Sequence, residues 1–386
     1  MDNDLPANNP PSPTPPPVPP VYTPPPQPHA TPARREKKGA GWKIATVILA
    51  LALVGLLALQ VVGVVFAAAM GPAGSAGPRM KEFTVEDNAA PFKIAVIPVE
   101  GIIMGDNDPA TRGMARSVEQ KLKRAAQDDR VKAVILRVNS PGGEVLASDD
   151  IAKAIERFQQ KYNKPVIASM SSLAASGGYY VSAPCRWIVA HDLTMTGSIG
   201  VIMQTYNVRG LMNKVGVRPM TYTSGKFKDM LSFSKEIENL SPQEKADLQE
   251  EELLMRKMID DVYGRFKSVV ASGRKWSNGK NSSNSDPGQP LSARWADYAD
   301  GRILSGKEAY DLGLVDELGN FEVAVKRALK FAGLPKADLV IYQEPFSLLD
   351  VFGILGKADA KTVRVDVGLD LPKLKSGMYY LAPALR

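Results

Sequence analysis

Residues 44–66, IATVILALALVGLLALQVVGVVF, carry no charge and only Thr46 and Gln60 as polar interruptions. A helix rises about 1.5 Å per residue, so roughly 20 apolar residues cross the hydrocarbon core of a bilayer. This run is long enough. Arg34, Arg35, Lys37, Lys38 and Lys43 all precede it, and Trp42 stands at the interface position. Clustered basic residues stay on the cytoplasmic side, so everything after about residue 70 is expected outside. The competing reading is a cleaved signal peptide, for which AAAMGPAGSAG offers small residues. The apolar run exceeds the roughly 7–15 residues of such a segment, and what precedes it is far too long. The expectation is a single-pass anchor in the cell (inner) membrane, with the basic cluster as its orientation signal.

The rest of the chain is organised around that anchor. Fourteen of the 30 prolines fall before residue 33. Proline fixes φ and lacks a donor, so residues 1–41 are expected as a disordered cytoplasmic tail, polyproline II in part; an SH3-type ligand is the alternative. The anchor helix takes 42–70, a Gly/Pro/Ala/Ser linker 71–91, and the folded domain 92–335. Residues 336–386 offer one strand and then weak structure.

Within the domain, FKIAVIPVEGII, VKAVILRVNSPGG, KPVIASMSS and RWIVA read as strands. Each is apolar or β-branched and bounded by turn residues. SVEQKLKRAAQDD and EVLASDDIAKAIERFQQKYN read as amphipathic helices between them, and GYYVSAPC as a short buried one. SIGVIMQTY and RPMTYTSG read as further strands around the helix VRGLMNKVG. A long helix is expected over 241–272, with Ser241 as its N-cap, Pro242 in the first turn and Glu244 completing a capping box. WSNGKNSSNSDPGQP reads as a loop. Strands alternating with helices argue an α/β fold with largely parallel pairing.

Composition excludes several function classes. The net charge of +7 is modest for 386 residues, and basic and aromatic residues are not interleaved, so no nucleic acid is expected. The single Cys185 allows neither an intrachain disulfide nor a cysteine metal cluster, and its apolar setting reads as a buried small hydrophobe. No residues have metal-ligand spacing such as His-Glu-x-x-His, so neither metal nor cofactor is expected.

The stretch SSLAASGGYY places Ser176 among alanines and glycines, with Tyr179 and Tyr180 packing behind. Such a serine is either a nucleophile or one more small residue in a tight turn. A nucleophile needs a base, and the chain has two histidines. His29 lies in the proline tail, across the membrane. His191, after a strand, reads as an ordinary surface or core residue. A lysine serves instead if its ammonium is desolvated, because burial favours the neutral amine. Lys226 and Lys228 in TSGKFKDML are two apart, and spacing alone does not choose between them. Two glycine pairs, in NSPGG and SGG, either build turns or aim N–H groups at a developing oxyanion.

NSPGGEV, SSLAASGGYYVSA, TMTGSIGV, TSGKFKDM and GRILSGKEAYDLGLVDELG occur in that order. Over residues 92–333 the chain resembles the short bacterial signal peptide peptidase A group of peptidase family S49. The resemblance implies a fold similar to the Clp protease and crotonase superfamily, a ββα superhelix. It implies a membrane-anchored serine endopeptidase with Ser176 as nucleophile and Lys228 as general base. Ser198 would orient the lysine, and the N–H groups of Gly143 and Gly177 would form the oxyanion hole. It further implies a ring-shaped homo-oligomer, an octamer in the short form, with the dyad members drawn either from one subunit or from neighbouring ones. The implied substrates are hydrophobic peptides such as cleaved signal-peptide remnants. The proline-rich tail, the stretch 276–299 and the segment after about Pro335 depart from the family pattern. Two other classes fit the fold expectations: a crotonase-like acyl-CoA enzyme, disfavoured by an outward-facing domain, and a non-catalytic membrane scaffold.

Overall fold

Strands that are apolar at nearly every position need cover on both faces, which a parallel sheet between helices supplies. The computed structural model has that arrangement; it describes residues 41–70, 80–105, 113–282, 286–343 and 378–381. The chain divides between Ala76 and Gly77 into two units. In the first, α1 (Gly41–Met70) is a helix of 30 residues. Its side chains are described without a break only over 45–61, and among the described residues no helix is long and apolar enough to cross a membrane. Residues 1–40 of the expected tail lie outside the described residues.

The second unit opens with β1 (Lys81–Glu86) and β2 (Lys93–Glu100). Next come α2 (Met114–Gln127), β3 (Val131–Ser140), β4 (Gly142–Glu144) and α3 (Val145–Tyr162). They are followed by β5 (Val166–Ala174), α4 (Gly177–Ser182), β6 (Trp187–Ala190), β7 (Met195–Gly197) and β8 (Ile202–Met203). After α5 (Arg209–Lys214) and the long α6 (Pro242–Ser282) come β9 (Ile303–Ser305), α7 (Gly306–Asp311) and β10 (Glu317–Leu318). The last elements are α8 (Phe321–Ala332), β11 (Asp338–Gln343) and β12 (Met378–Leu381).

The main sheet runs β1-β11-β2-β3-β5-β6-β10. All neighbours from β11 to β10 are parallel, and β1 caps one edge antiparallel. Alternation divides each strand between two cores. Val134, Leu136, Ala168 and Ile188 face α2 and α3, meeting Leu122, Ile151, Ile155 and Phe158. Ile135, Ile167, Trp187 and Val189 face α8, meeting Ala324 and Ala328. At the start of α6 the capping box forms as expected: the Ser241 N–H donates to the Glu244 carboxylate (2.8 Å) and the Glu244 N–H to Ser241 Oγ (3.3 Å).

Four expectations need correction. The stretch 71–91 is not all linker, because β1 lies in it. Its sequence KEFTVE is largely exposed at a sheet edge and lacks an apolar run. The loop expected from Trp276 begins later, since α6 continues to Ser282. Its polar residues there are buried and paired: Asn281 Nδ2 donates to the Arg186 carbonyl and Arg186 Nε to Asn281 Oδ1. RPMTYTSG is not a strand, and SIGVIMQTY keeps only two strand residues. RPMTYTSG is largely exposed and pairs with no strand among the described residues. Finally, the segment after 336 supplies the one expected strand, β11, to the main sheet, but also a second, β12, in a small second sheet. Residues 344–377 and 382–386 lie outside the described residues.

Candidate active site

Parallel α/β sheets carry their chemistry at the carboxyl ends of the strands, where chain turns into helix. Ser176 occupies such a turn, between β5 and α4. Its backbone has φ 53° and ψ −115°, a region L-residues rarely adopt. A conformation of this kind costs roughly 1–3 kcal/mol and persists only where the surroundings impose it. Here they do. The Ser176 N–H donates to the Gly197 carbonyl (2.8 Å), the Ala175 N–H to the Ser140 carbonyl (3.1 Å), and Thr196 Oγ1 to the Ala174 carbonyl (2.7 Å). Ser176 is 1% exposed and its Oγ has no hydrogen-bond partner among the described residues. Buried hydroxyls are nearly always paired, so an unpaired one held in a strained turn marks Ser176 as a candidate functional residue.

The two glycine pairs meet beside this serine. A Cβ on Gly177 would lie 2.8 Å from Ser148 Oγ, 2.9 Å from Gly142 Cα and 3.1 Å from the Gly143 nitrogen. A Cβ on Gly143 would sit 1.9 Å from the Ile103 carbonyl oxygen. Ile103 itself bridges β4, donating to Gly142 and accepting from Glu144, both at 2.8 Å. The glycines are therefore needed for close approach, whatever else they do. Ser140, which the sequence reading passed over inside NSPGG, shapes this corner. Its Oγ donates to the Gly101 carbonyl (2.6 Å) and accepts from the Gly142 N–H (3.1 Å).

Ser198 is buried one residue beyond Gly197, with φ 49°, and its N–H donates to the Arg302 carbonyl (2.7 Å). It is thus brought beside the Ser176 turn. Lys228 is not: it is exposed, and no hydrogen bond links it to Ser176. The structure nevertheless separates it from Lys226. Lys226 Nζ is tied to Asp247 (2.8 Å) and Glu250 (2.6 Å) on α6, and those hydrogen bonds raise its pKa. Lys235 is paired with Asp229 and Glu251. Of the lysines in 226–235, Lys228 alone has no ion pair among the described residues.

His191 is exposed, its Nδ1 accepts from the Leu193 N–H (3.2 Å), and it has no bond to Ser176. Cys185 is fully buried, and burial pushes its thiol up, as suits an inert packing residue. Tyr179 and Tyr180 are also fully buried, and their hydroxyls donate to the Leu314 carbonyl (2.8 Å) and Asp149 (2.7 Å). A cavity of about 660 Å³ between residues 205–237 and α6 is lined by none of the expected site residues.

Sequence reasoning also missed what lies across the glycines. β12 is the middle strand between β4 and β8, antiparallel to both, with Tyr380 opposite Gly143 and Tyr379 opposite Ile202. It also lies against α3 and α4. No motif marked it, because residues 336–386 match no pattern and its strand character depends on those partners.

Replacing Gly177 with alanine is expected to push the β4 and α4 turns apart. With Gly177 as an oxyanion donor, the role the resemblance implies, peptide turnover should fall on the order of 10²–10³-fold. Steady-state kinetics checks this, with kcat rather than KM carrying the loss.

The family model described as peptidase family S49 matches residues 158–334. A putative protease of Synechocystis is 36% identical over 259 residues, covering 67% of this chain and 81% of that one. A putative signal peptide peptidase SppA of Enterococcus faecium is 36% identical over 269 residues, covering 69% of this chain and 71% of that one. Among solved structures, the membrane-bound stomatin-specific protease 1510-N overlays with a TM-score of 0.36 at 16% identity, covering 62% of this chain and 85% of that one. That overlay is too distant to carry an inference, whereas the sequence matches span most of the second unit. With its α/β sheet and a strained serine at a carboxyl-end turn, the chain belongs to peptidase family S49 and is a serine endopeptidase.

Proposed function

We propose that Ser176 is the nucleophile and Lys228 the general base of a membrane-anchored peptidase that hydrolyses hydrophobic peptides such as cleaved signal-peptide remnants. The observation that carries this reading is the Ser176 turn: strained, clamped on both sides, with a buried hydroxyl that nothing satisfies. Ser176 Oγ attacks the scissile carbonyl carbon while the neutral Lys228 amine takes its proton. The carbonyl oxygen becomes the oxyanion, and the N–H groups of Gly143 and Gly177 stabilise it. The C–N bond then breaks, the lysine returns the proton to the leaving amine, and an acyl-serine remains. Water, deprotonated by the same amine, attacks the ester and frees Ser176. Ser198, beside the turn, orients the amine.

A lysine accepts a proton only as the neutral amine, which requires taking its ammonium out of water. Lys228 is exposed in the single chain, so a second copy is the proposed cover. The segment around it supports this: Met220 is 77% and Tyr222 86% exposed, and Tyr206, Leu211 and Phe233 are exposed as well. Apolar surface on this scale marks an interaction face. A ring of copies, an octamer in the family's short form, brings each such segment to a neighbour's Ser176.

The pairing of β12 with β4 and β8 supports a site that takes extended backbone. A peptide in its place would add as a strand between β4 and β8, its main chain running past Gly143, with alternate side chains entering apolar pockets. The uncharged run of α1, preceded by basic residues, supports the anchor, with the peptidase unit outside the cytoplasm. Such placement brings the site to peptides left in or beside the bilayer.

The test is a series of synthetic signal peptides assayed with the full chain in detergent micelles. Replacing two apolar residues on one side of the cut by serine should lower kcat/KM about tenfold or more, since each buried apolar side chain contributes roughly 1.5–3 kcal/mol. Equal turnover of apolar and polar peptides would contradict the substrate class.

A further inference from the structure

His191 takes no part in the proposed chemistry, yet it sits in a built environment. Alternation along neighbouring strands puts Arg137, Ser169 and Val189 in register on the α8 face of the sheet. Below them that face is apolar, with Ile135 and Ile167 under α8. Above them it turns polar: Ser171 stands two residues beyond Ser169, and His191 two beyond Val189. There α8 begins, and the sheet and helix leave a recess of about 320 Å³ lined by Arg137, Ser169, Ser171, His191, Asn320 and Phe321, among others.

The recess has the charge pattern of an anion site. None of its lining residues is an aspartate or glutamate. The Arg137 guanidinium has no ion pair among the described residues and only stacks at 6.0 Å over the Phe321 ring. His191 Nδ1 accepts from Leu193, which leaves Nε2 as the donor. Asn320 caps α8, accepting from the Val323 N–H through Oδ1. The start of α8, with the positive end of its dipole, therefore borders the same space through Asn320 and Phe321. Ser169 supplies the independent sign of a ligand. It is 4% exposed, lines the recess, and its hydroxyl makes no hydrogen bond among the described residues. In a residue so nearly buried, the hydroxyl is left open to the recess, where a ligand can take its hydrogen bond.

We propose that this recess binds a phosphate-type oxyanion, held by Arg137, Ser169, His191 and the start of α8. A guanidinium fork and a helix N-terminus are both suited to phosphate oxygens. The recess exceeds a bare phosphate, and Met170, Leu193 and Phe321 in its wall suit a short apolar carrier. The anion is thus either free phosphate or a phosphate at the head of a lipid.

Calorimetric titration of the full chain in neutral detergent, at constant ionic strength, tests this with inorganic phosphate and with dihexanoyl phosphatidic acid. Saturable binding is expected, weakened about tenfold or more by Arg137→Gln, since hydrogen bonds to charged groups carry about that effect. Ser169→Ala should weaken it several-fold, and Lys226→Ala should leave it unchanged. The phosphatidate binding about tenfold tighter than phosphate identifies a lipid head group; equal affinities identify the free ion. Retained peptide hydrolysis in Arg137→Gln reports an intact fold. No saturable binding of either probe, or wild-type affinity in Arg137→Gln, would overturn the proposal, as would equal weakening by Lys226→Ala.

Discussion

Replacing Ser176 with alanine is expected to lower peptide hydrolysis by at least about 10⁴-fold, the usual cost of removing a nucleophile that acts as a unit with its base. The same substitution should not destabilise the protein. Ser176 Oγ is buried and unpaired, so its removal takes away an unsatisfied polar atom and leaves the backbone clamps from Gly197 and Ser140 in place. Thermal unfolding of Ser176→Ala is therefore expected at or above the wild-type midpoint. Opposite movement of activity and stability is what a site held against its own stability produces. A structural serine would behave otherwise, its loss lowering stability and leaving turnover largely intact.

Lys228→Ala should cost on the order of 10²–10⁴ in kcat, the range for a positioned general base, whereas Lys226→Ala should cost little. The contrast rests on their partners. Lys226 is held protonated by Asp247 and Glu250, while Lys228 has no ion pair among the described residues. If the base reaches Ser176 from a neighbouring copy, inactive Ser176→Ala and Lys228→Ala chains should complement each other. Random co-assembly should restore about a quarter of the wild-type rate, since half the sites keep the serine and half of those meet an intact lysine. Equal losses in the two lysine variants would remove Lys228 from its role. Failure of complementation would place both groups in one chain.

The sheet was legible because β2, β3, β5 and β6 are buried on both faces and punctuated by turn residues, and those two signals reinforce each other. β1 and β12 were not, because an edge strand and a strand in a small second sheet owe their form to partners distant in sequence: β11 for one, β4 and β8 for the other. The end of α6 was misread because Arg274, Ser277 and Asn281 are polar yet buried. Only the fold reveals what pairs with them, Asp316 for the arginine and Arg186 for the asparagine. RPMTYTSG has strand-forming residues but joins no strand among the described residues. At the site, small residues around Ser176 signalled close approach, but not which backbone makes it; that is Gly142 and Gly143. The choice between Lys226 and Lys228 was beyond local reading, since the acids that occupy Lys226 lie some twenty residues on, along α6.

The most direct test of Ser176 as the nucleophile is N-terminal sequencing of the products that the full chain makes from a synthetic signal peptide, wild type against Ser176→Ala. The expected result is a new N-terminus within the apolar stretch of the peptide from the wild type and intact peptide from Ser176→Ala. The same new N-terminus at a comparable rate from Ser176→Ala would contradict it.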